Sequence, residues 1–212
     1  MATTSATPLS GRRAEAARND LRILDAARAV FTANPEAPIA AVAERAGVGI
    51  GALYRRYPSK DDLLQRLSLD ALRRYIAAVD AALADEGDPW TSFAGFMRHG
   101  LDEGTGSLTQ RFAGRFTATQ ELHRLGRAAH DATQRLLDRT RAAGALRAEI
   151  EVGDLSLIFE QLQAIHAGDE TRSRQLRHRY LALLLDALHM SSAAPLPGPP
   201  PRWDEITQRY AG

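Results

Sequence analysis

The chain contains no cysteine. That absence excludes a disulfide framework and any cysteine-ligated zinc or iron–sulfur centre. Lysine is nearly absent too: Lys60 stands alone, and the remaining strong bases are all arginine. No run of residues is long and apolar enough to span a membrane, and the opening MATTSATPLSGRRAEAARN lacks the apolar core of a signal peptide, so a cytoplasmic location is expected. There is no HExxH, no nucleophile elbow with its glycines and no phosphate-cradling glycine loop. The GTG of Gly104 to Gly106 lacks a preceding strand and a following lysine and reads as a helix break. His123 and His130 share one side of a helix, while His99, His166, His178 and His189 are scattered. They read as surface or hydrogen-bonded core residues, so no metal, no cofactor and no catalysis are expected.

What is present is 212 residues with 44% hydrophobic content, enough for more than one small module and for a sizeable core. The net charge of +1 hides an asymmetry. Up to Arg66 there are ten basic and seven acidic residues, whereas the remainder carries 17 basic against 19 acidic. The positive field is concentrated at one end, and the surplus there is modest.

The apolar spacing predicts an all-α chain. Residues 1–18 read as a flexible arm, with Arg12 and Arg13 able to reach a minor groove. Asp20 to Asn34 forms a first helix with Ile23, Leu24, Ala27, Val30 and Phe31 on one face. Ile39, Val42, Ala43 and Ala46 recur at i, i+3, i+4 and i+7 and mark a short second helix, with Pro38 at its start. Gly47 supplies the turn and Val48 the apolar plug that seats the next helix. That helix needs Leu53 and Tyr57 for its buried side, which leaves Ile50, Tyr54, Arg55 and Arg56 to face a polyanion. Ser59 and Asp62 form a capping-box pattern for a long helix reaching about Ala84.

Ala46-Gly47-Val48, Leu53-Tyr54, Tyr57 and Ser59-Lys60, followed by Leu63-Leu64, resemble the helix-turn-helix of the TetR/AcrR family of bacterial transcriptional regulators. The resemblance covers about Asn19 to Arg66 and is architectural beyond it. It implies a DNA-binding unit at 19–66, with Tyr54 and Lys60 on phosphates, and a helical ligand-binding and dimerisation unit at 67–190. Many family members carry hydroxyl residues where this chain has Pro38, Gly49 and Ala52. The backbone grip therefore falls to Tyr54, Arg55, Arg56, Lys60 and the helix N-terminus. The candidate DNA-facing set is Gly49, Ile50, Tyr54, Arg55, Arg56, Tyr57 and Lys60, with Ile50 on a thymine methyl and Arg55 on guanine. Gly49 and Gly51 weaken the helix by roughly 1 kcal/mol each but let the backbone approach the groove.

Beyond the motif, Asp88-Pro89 caps a helix running to the GTGS break, a short helix is expected near Leu108 to Ala118, and a longer one runs from about Gln120 to Ala143. The family wall of the ligand cavity falls here on Trp90, Phe93, Phe96, Met97, Phe112 and Phe116. His99, Arg115, Gln120 and His130 are the polar groups expected to point inward, for a small and mostly apolar effector. The last two helices resemble the pair that dimerises the family, which implies Leu155, Phe159, Leu162, Leu181, Leu184, Leu185 and Leu188 at a homodimer interface. Residues 191–212 form a proline-rich tail, expected to be an extended strap. The resulting expectation is a homodimeric repressor released from a palindromic operator by its effector. The alternatives are an effector-independent or architectural DNA-binding factor and an enzyme on a helical scaffold.

Overall fold

The structure, a computed structural model, describes residues 11–104, 116–189 and 195–208. Their regular structure is helical throughout, apart from a single bridge pairing Leu146 with His189. The chain divides into two compact units, residues 1–67 and 68–212.

In the first unit α1 runs Gly11–Ala33, α2 Ile39–Ala46 and α3 Ile50–Arg56. The start at Gly11 corrects the expected flexible arm to Arg18. Ile23, Leu24, Ala27 and Phe31 of α1 are buried with Ile39, Val42, Ala43 and Ala46 of α2, as the 3.6-residue spacing predicts. Gly47 closes α2 in the left-handed conformation at φ 63°, where a side chain would be strained. Its N–H and that of Val48 take up the last carbonyls of α2.

Helix α4 spans Lys60–Ala84 and belongs to both units. Ser59 and Asp62 form the expected capping box: the Asp62 carboxylate accepts from the Ser59 N–H at 3.0 Å, and the Ser59 hydroxyl accepts from the Asp62 N–H at 3.0 Å. At the other end Arg139 donates to the carbonyls of Ala82, Leu83, Asp85 and Gly87, a guanidinium seated on the negative end of the helix dipole.

The second unit holds α5 Pro89–Glu103, α6 Gln120–Ala142, α7 Val152–Gln163, α8 Glu170–Leu188 and a short α9 Trp203–Thr207. Asp88, Thr119 and Asp169 cap α5, α6 and α8 through their side chains. At α7 the cap is Glu151, with Asp154 as its capping-box partner. Phe93, Met97, Leu136, Leu137 and Phe159 are fully buried at the centre, each contributing roughly 1.5–3 kcal/mol. A Cβ at Gly100 would lie 2.9 Å from the Phe159 ring, so the missing side chain is what lets α5 and α7 close together.

The tail is docked as well as extended. Ile206 is buried, the Trp203 ring lies 4.4 Å from that of His130, and a Cβ on Gly153 would strike the Pro201 carbonyl.

Candidate nucleic-acid interface

Helix α3 begins at Gly49 in extended conformation and buries only Leu53 within its own span. Its C-cap, Tyr57, is buried at 4% exposure. The opposite face carries Ile50 and Tyr54, exposed at 44% and 46%. Arg55 beside them is exposed and makes no hydrogen bond or ion pair among the described residues. A Cβ built on Gly49 or Gly51 meets no protein atom within 4 Å. The fold itself therefore does not require glycine at either position. Two bare backbone sites, two exposed apolar side chains and one free guanidinium form a surface suited to a groove edged by phosphates.

Three members of the sequence-derived set are already engaged within the protein. Arg56 donates bidentately to Asp20, at 2.7 and 3.0 Å. Tyr57 donates its hydroxyl to the same carboxylate at 2.7 Å. The Lys60 ammonium donates to the carbonyls of Pro35 and Ala37 at 3.0 and 3.1 Å and lies over the Phe31 ring. The reason is shared: each basic or hydroxyl group lies within hydrogen-bond distance of a buried or half-buried acceptor. Asp20 itself was not singled out in the sequence, because its partners are 36 and 37 residues away and no local pattern marks the pairing. Burial alone would push its carboxyl up, but hydrogen bonds from Arg56 and Tyr57 and the charges of Arg56 and Arg66 hold it below the ordinary carboxylate range. Tyr57 is raised by burial and by its hydrogen bond to Asp20, and Arg56 is raised chiefly by its own hydrogen bonds to that carboxylate.

In the second unit the expected ligand-facing residues separate. Phe93, Phe96 and Met97 are buried core, with Phe96 edge-on to Tyr75 and Phe159. Trp90 sits half-buried against Phe93 and His189. Phe116 is half-buried in a bend. Phe112, Arg115 and most of the expected helix around them lie outside the described residues. His99 and Gln120 are exposed and do not point inward, because each falls on the polar side of its helix. His130 is taken up by Trp203. The polar pair that does sit inside is Tyr75 with Thr133, their oxygens 3.0 Å apart; burial pushes the Tyr75 hydroxyl up to about 12 against the opposing effect of that bond.

The expected interface residues are also corrected. Leu155, Phe159, Leu162, Leu181, Leu185 and Leu188 are buried in the core of their own unit, and Leu184 is partly so. Six of the seven therefore do not reach the surface. Among the residues α8 leaves exposed or half-buried, Leu176, Tyr180, Leu183, Leu184 and Ala187 form an apolar stripe at i, i+4, i+7, i+8 and i+11.

A helix-turn-helix unit joined to an all-helical second unit defines a DNA-binding transcriptional regulator. Comparison with known families places it further. The model of bacterial regulatory proteins of the tetR family matches residues 23–67, and that of the SbtR-like transcriptional regulator C-terminal domain matches residues 88–190. The chain belongs to the TetR family.

No curated protein matches the sequence. Among solved structures, LfrR from Mycobacterium smegmatis, determined in complex with proflavine, is 26% identical with a TM-score of 0.59, covering 85% of this chain and 99% of that one. A regulator from Mycobacterium vanbaalenii is 26% identical with a TM-score of 0.56, covering 84% and 98%. SCO0520 from Streptomyces coelicolor, at 24% identity and a TM-score of 0.60, covers 82% and 99% and shares the fold. Among the described residues no helix is long and apolar enough to cross a membrane.

Proposed function

We propose that this regulator works in the cytoplasm as a homodimeric repressor that binds a near-palindromic operator and leaves it when a small, largely apolar effector binds the second unit. The observation that carries the DNA end is the open face of α3: Ile50, Tyr54 and Arg55 exposed beside two glycines that the protein's own packing does not need. Two copies related by a twofold axis would read two half-sites, since one helix-turn-helix buries too little to be selective. Lys60 keeps its place as a phosphate contact through the ammonium proton left after its two carbonyl bonds. Selection from random duplexes should return inverted repeats, and enrichment of direct repeats, or of nothing, would sink the operator.

For the dimer, the support is the outward stripe on α8. Tyr180 and Leu183 are 49% and 55% exposed in the single chain, beside the half-buried Leu176 and Leu184. An apolar stripe of this length in water favours a second copy as its cover.

For the effector, support comes from LfrR, solved with proflavine, and from the aromatic cluster around the Tyr75–Thr133 pair. Release requires that the effector prefer the conformation unfit for DNA, with the shift carried along α4. One observation favours the effector-independent reading: Phe93, Met97 and Phe159 have no appreciable exposure, and Phe159 already fills the place of a side chain on Gly100. A panel of hydrophobic compounds separates the two. A compound that raises the melting temperature and weakens operator binding supports induction; stabilising compounds that never loosen DNA support the effector-independent factor.

A further inference from the structure

Helix α3 has only seven residues and one buried side chain of its own, Leu53. A helix so short does not hold itself in water and takes its stability and its angle from what grips it. Leu53 holds it near its centre; its far end, which carries Arg55 and Arg56, has no apolar anchor before Tyr57. The grip there is polar. Asp20, only 14% exposed, binds Arg56 in the parallel two-bond geometry of a guanidinium–carboxylate pair and also takes the Tyr57 hydroxyl. Exposed ion pairs contribute little, but this carboxylate is largely covered and three hydrogen bonds converge on it.

Two residues along α1, Arg22 makes a second grip. Its guanidinium donates to the carbonyls of Ala46 at 2.6 Å and Gly47 at 3.3 Å, at the negative end of α2, and to the Asn19 side chain at 3.3 Å. A Cβ on Gly47 would lie 3.0 Å from that guanidinium nitrogen, so the glycine leaves room for the clasp as well as making the turn.

We infer that Asp20 and Arg22 are positioning residues for DNA reading: Asp20 anchors the end of α3 through Arg56 and Tyr57, Arg22 anchors the end of α2, and α1 thereby sets the angle at which Ile50, Tyr54 and Arg55 are presented. Arg56 is then part of the clasp and makes no phosphate contact, whatever its place in the motif. The inference rests on the family's DNA binding and is independent of operator symmetry or effector.

The experiment compares the wild-type chain with Asp20→Asn, Arg22→Met, Arg56→Met and Tyr57→Phe on two probes, a duplex enriched by the wild-type chain and a scrambled duplex of equal length, over a series of KCl concentrations. Each variant should bind the enriched duplex roughly tenfold more weakly, the scale of one mismatched base pair, with scrambled-duplex affinity and salt slope unchanged and Asp20→Glu restoring most of the loss. Hydrogen exchange reads the clasp without DNA: in Asp20→Asn the amides of Arg56 and Tyr57 should exchange faster while those of α2 stay protected. The assignment is overturned if Arg56→Met weakens both duplexes alike and lowers the salt slope by about 0.9, the mark of a phosphate contact. It is equally overturned if Asp20→Asn, by releasing the guanidinium, tightens binding, or if exchange at the end of α3 does not change.

Discussion

Helices α3 and α8 both leave large apolar side chains in water, yet their surroundings differ. On α3 Ile50 and Tyr54 stand among Gly49, Gly51 and the free Arg55, so the surface is thin, open and positive. On α8 Tyr180 and Leu183 stand in line with Leu176, Leu184 and Ala187, an apolar stripe edged by the exposed Arg179 and Asp186. A polyanionic groove suits the first and another apolar helix the second. Exposure alone does not name a partner; what lies beside the exposed group does.

The largest effect should come from breaking the α8 stripe. Leu183→Arg places a charge on a residue that is more than half exposed in the single chain, so the melting temperature of the monomeric unit should hold. Across an interface the same charge lacks a partner and costs about 3–5 kcal/mol. Sedimentation should show a monomer, with operator affinity falling on the order of a hundredfold; a dimer of unchanged affinity would place the interface elsewhere. Leu184→Arg, half-buried, should lower the melting temperature as well, which separates surface from core on one helix.

The next effect sharpens the α3 side of the contrast. Arg55→Ala should cost roughly 1–3 kcal/mol and relax preference at one base position. Lys60→Ala should instead weaken all sequences alike and lower the salt slope by about one. Because its ammonium also ties the carbonyls of Pro35 and Ala37, the melting temperature should drop too. Loss of stability with an unchanged salt slope would leave Lys60 a purely structural tie.

How much of this was legible in the sequence follows the range of the interactions. The buried faces of α1 and α2, the Gly47 turn, the Ser59–Asp62 box and the Asp88 cap all lie within a few residues of their partners and follow from spacing. The open face of α3 was readable for the same reason. Asp20 with Arg56, Lys60 with Pro35, and Arg139 with the end of α4 join residues 25 to 57 positions apart, and nothing in the local pattern distinguishes such a base from one facing solvent. The leucines of α8 failed differently. Leu183, Leu184 and Leu185 cover more than one face, and only the packed unit shows that Leu181, Leu185 and Leu188 are taken by the core. His99 and Gln120 were misread because residue type marks polarity but not direction.

The tail gives a smaller test within the second unit. Gly153→Ala would bring a Cβ within 2.4 Å of the Pro201 carbonyl, a backbone atom that must shift to make room. Overpacking of this kind costs roughly 1–3 kcal/mol. In a Trp90→Phe background, Trp203 fluorescence should report its departure from His130. An unchanged spectrum and melting temperature would mean that the tail contributes nothing to the unit.

The smallest effect is the acid dependence of the clasp. Asp20 titrates below its ordinary value because the donors from Arg56 and Tyr57 and the nearby arginine charges outweigh the effect of burial. A carboxyl held low in the folded state binds fewer protons there than in the unfolded chain, so its contribution is full above the unfolded value of about 3.9. As pH falls below that value the unfolded chain protonates first, and stability drains until the folded carboxyl also takes its proton. Between neutral pH and about 5 the clasp should therefore be insensitive to acid, and Asp20→Asn should lose stability by a constant amount. Below about pH 4 the wild-type curve should fall toward that of the variant. Urea melts of the two proteins across this range read the difference directly. A gap that persists undiminished well below pH 3 would mean that the ionised carboxylate is not what stabilises the wild type, whereas no gap at any pH would mean that Leu53 and Tyr57 hold α3 without the clasp.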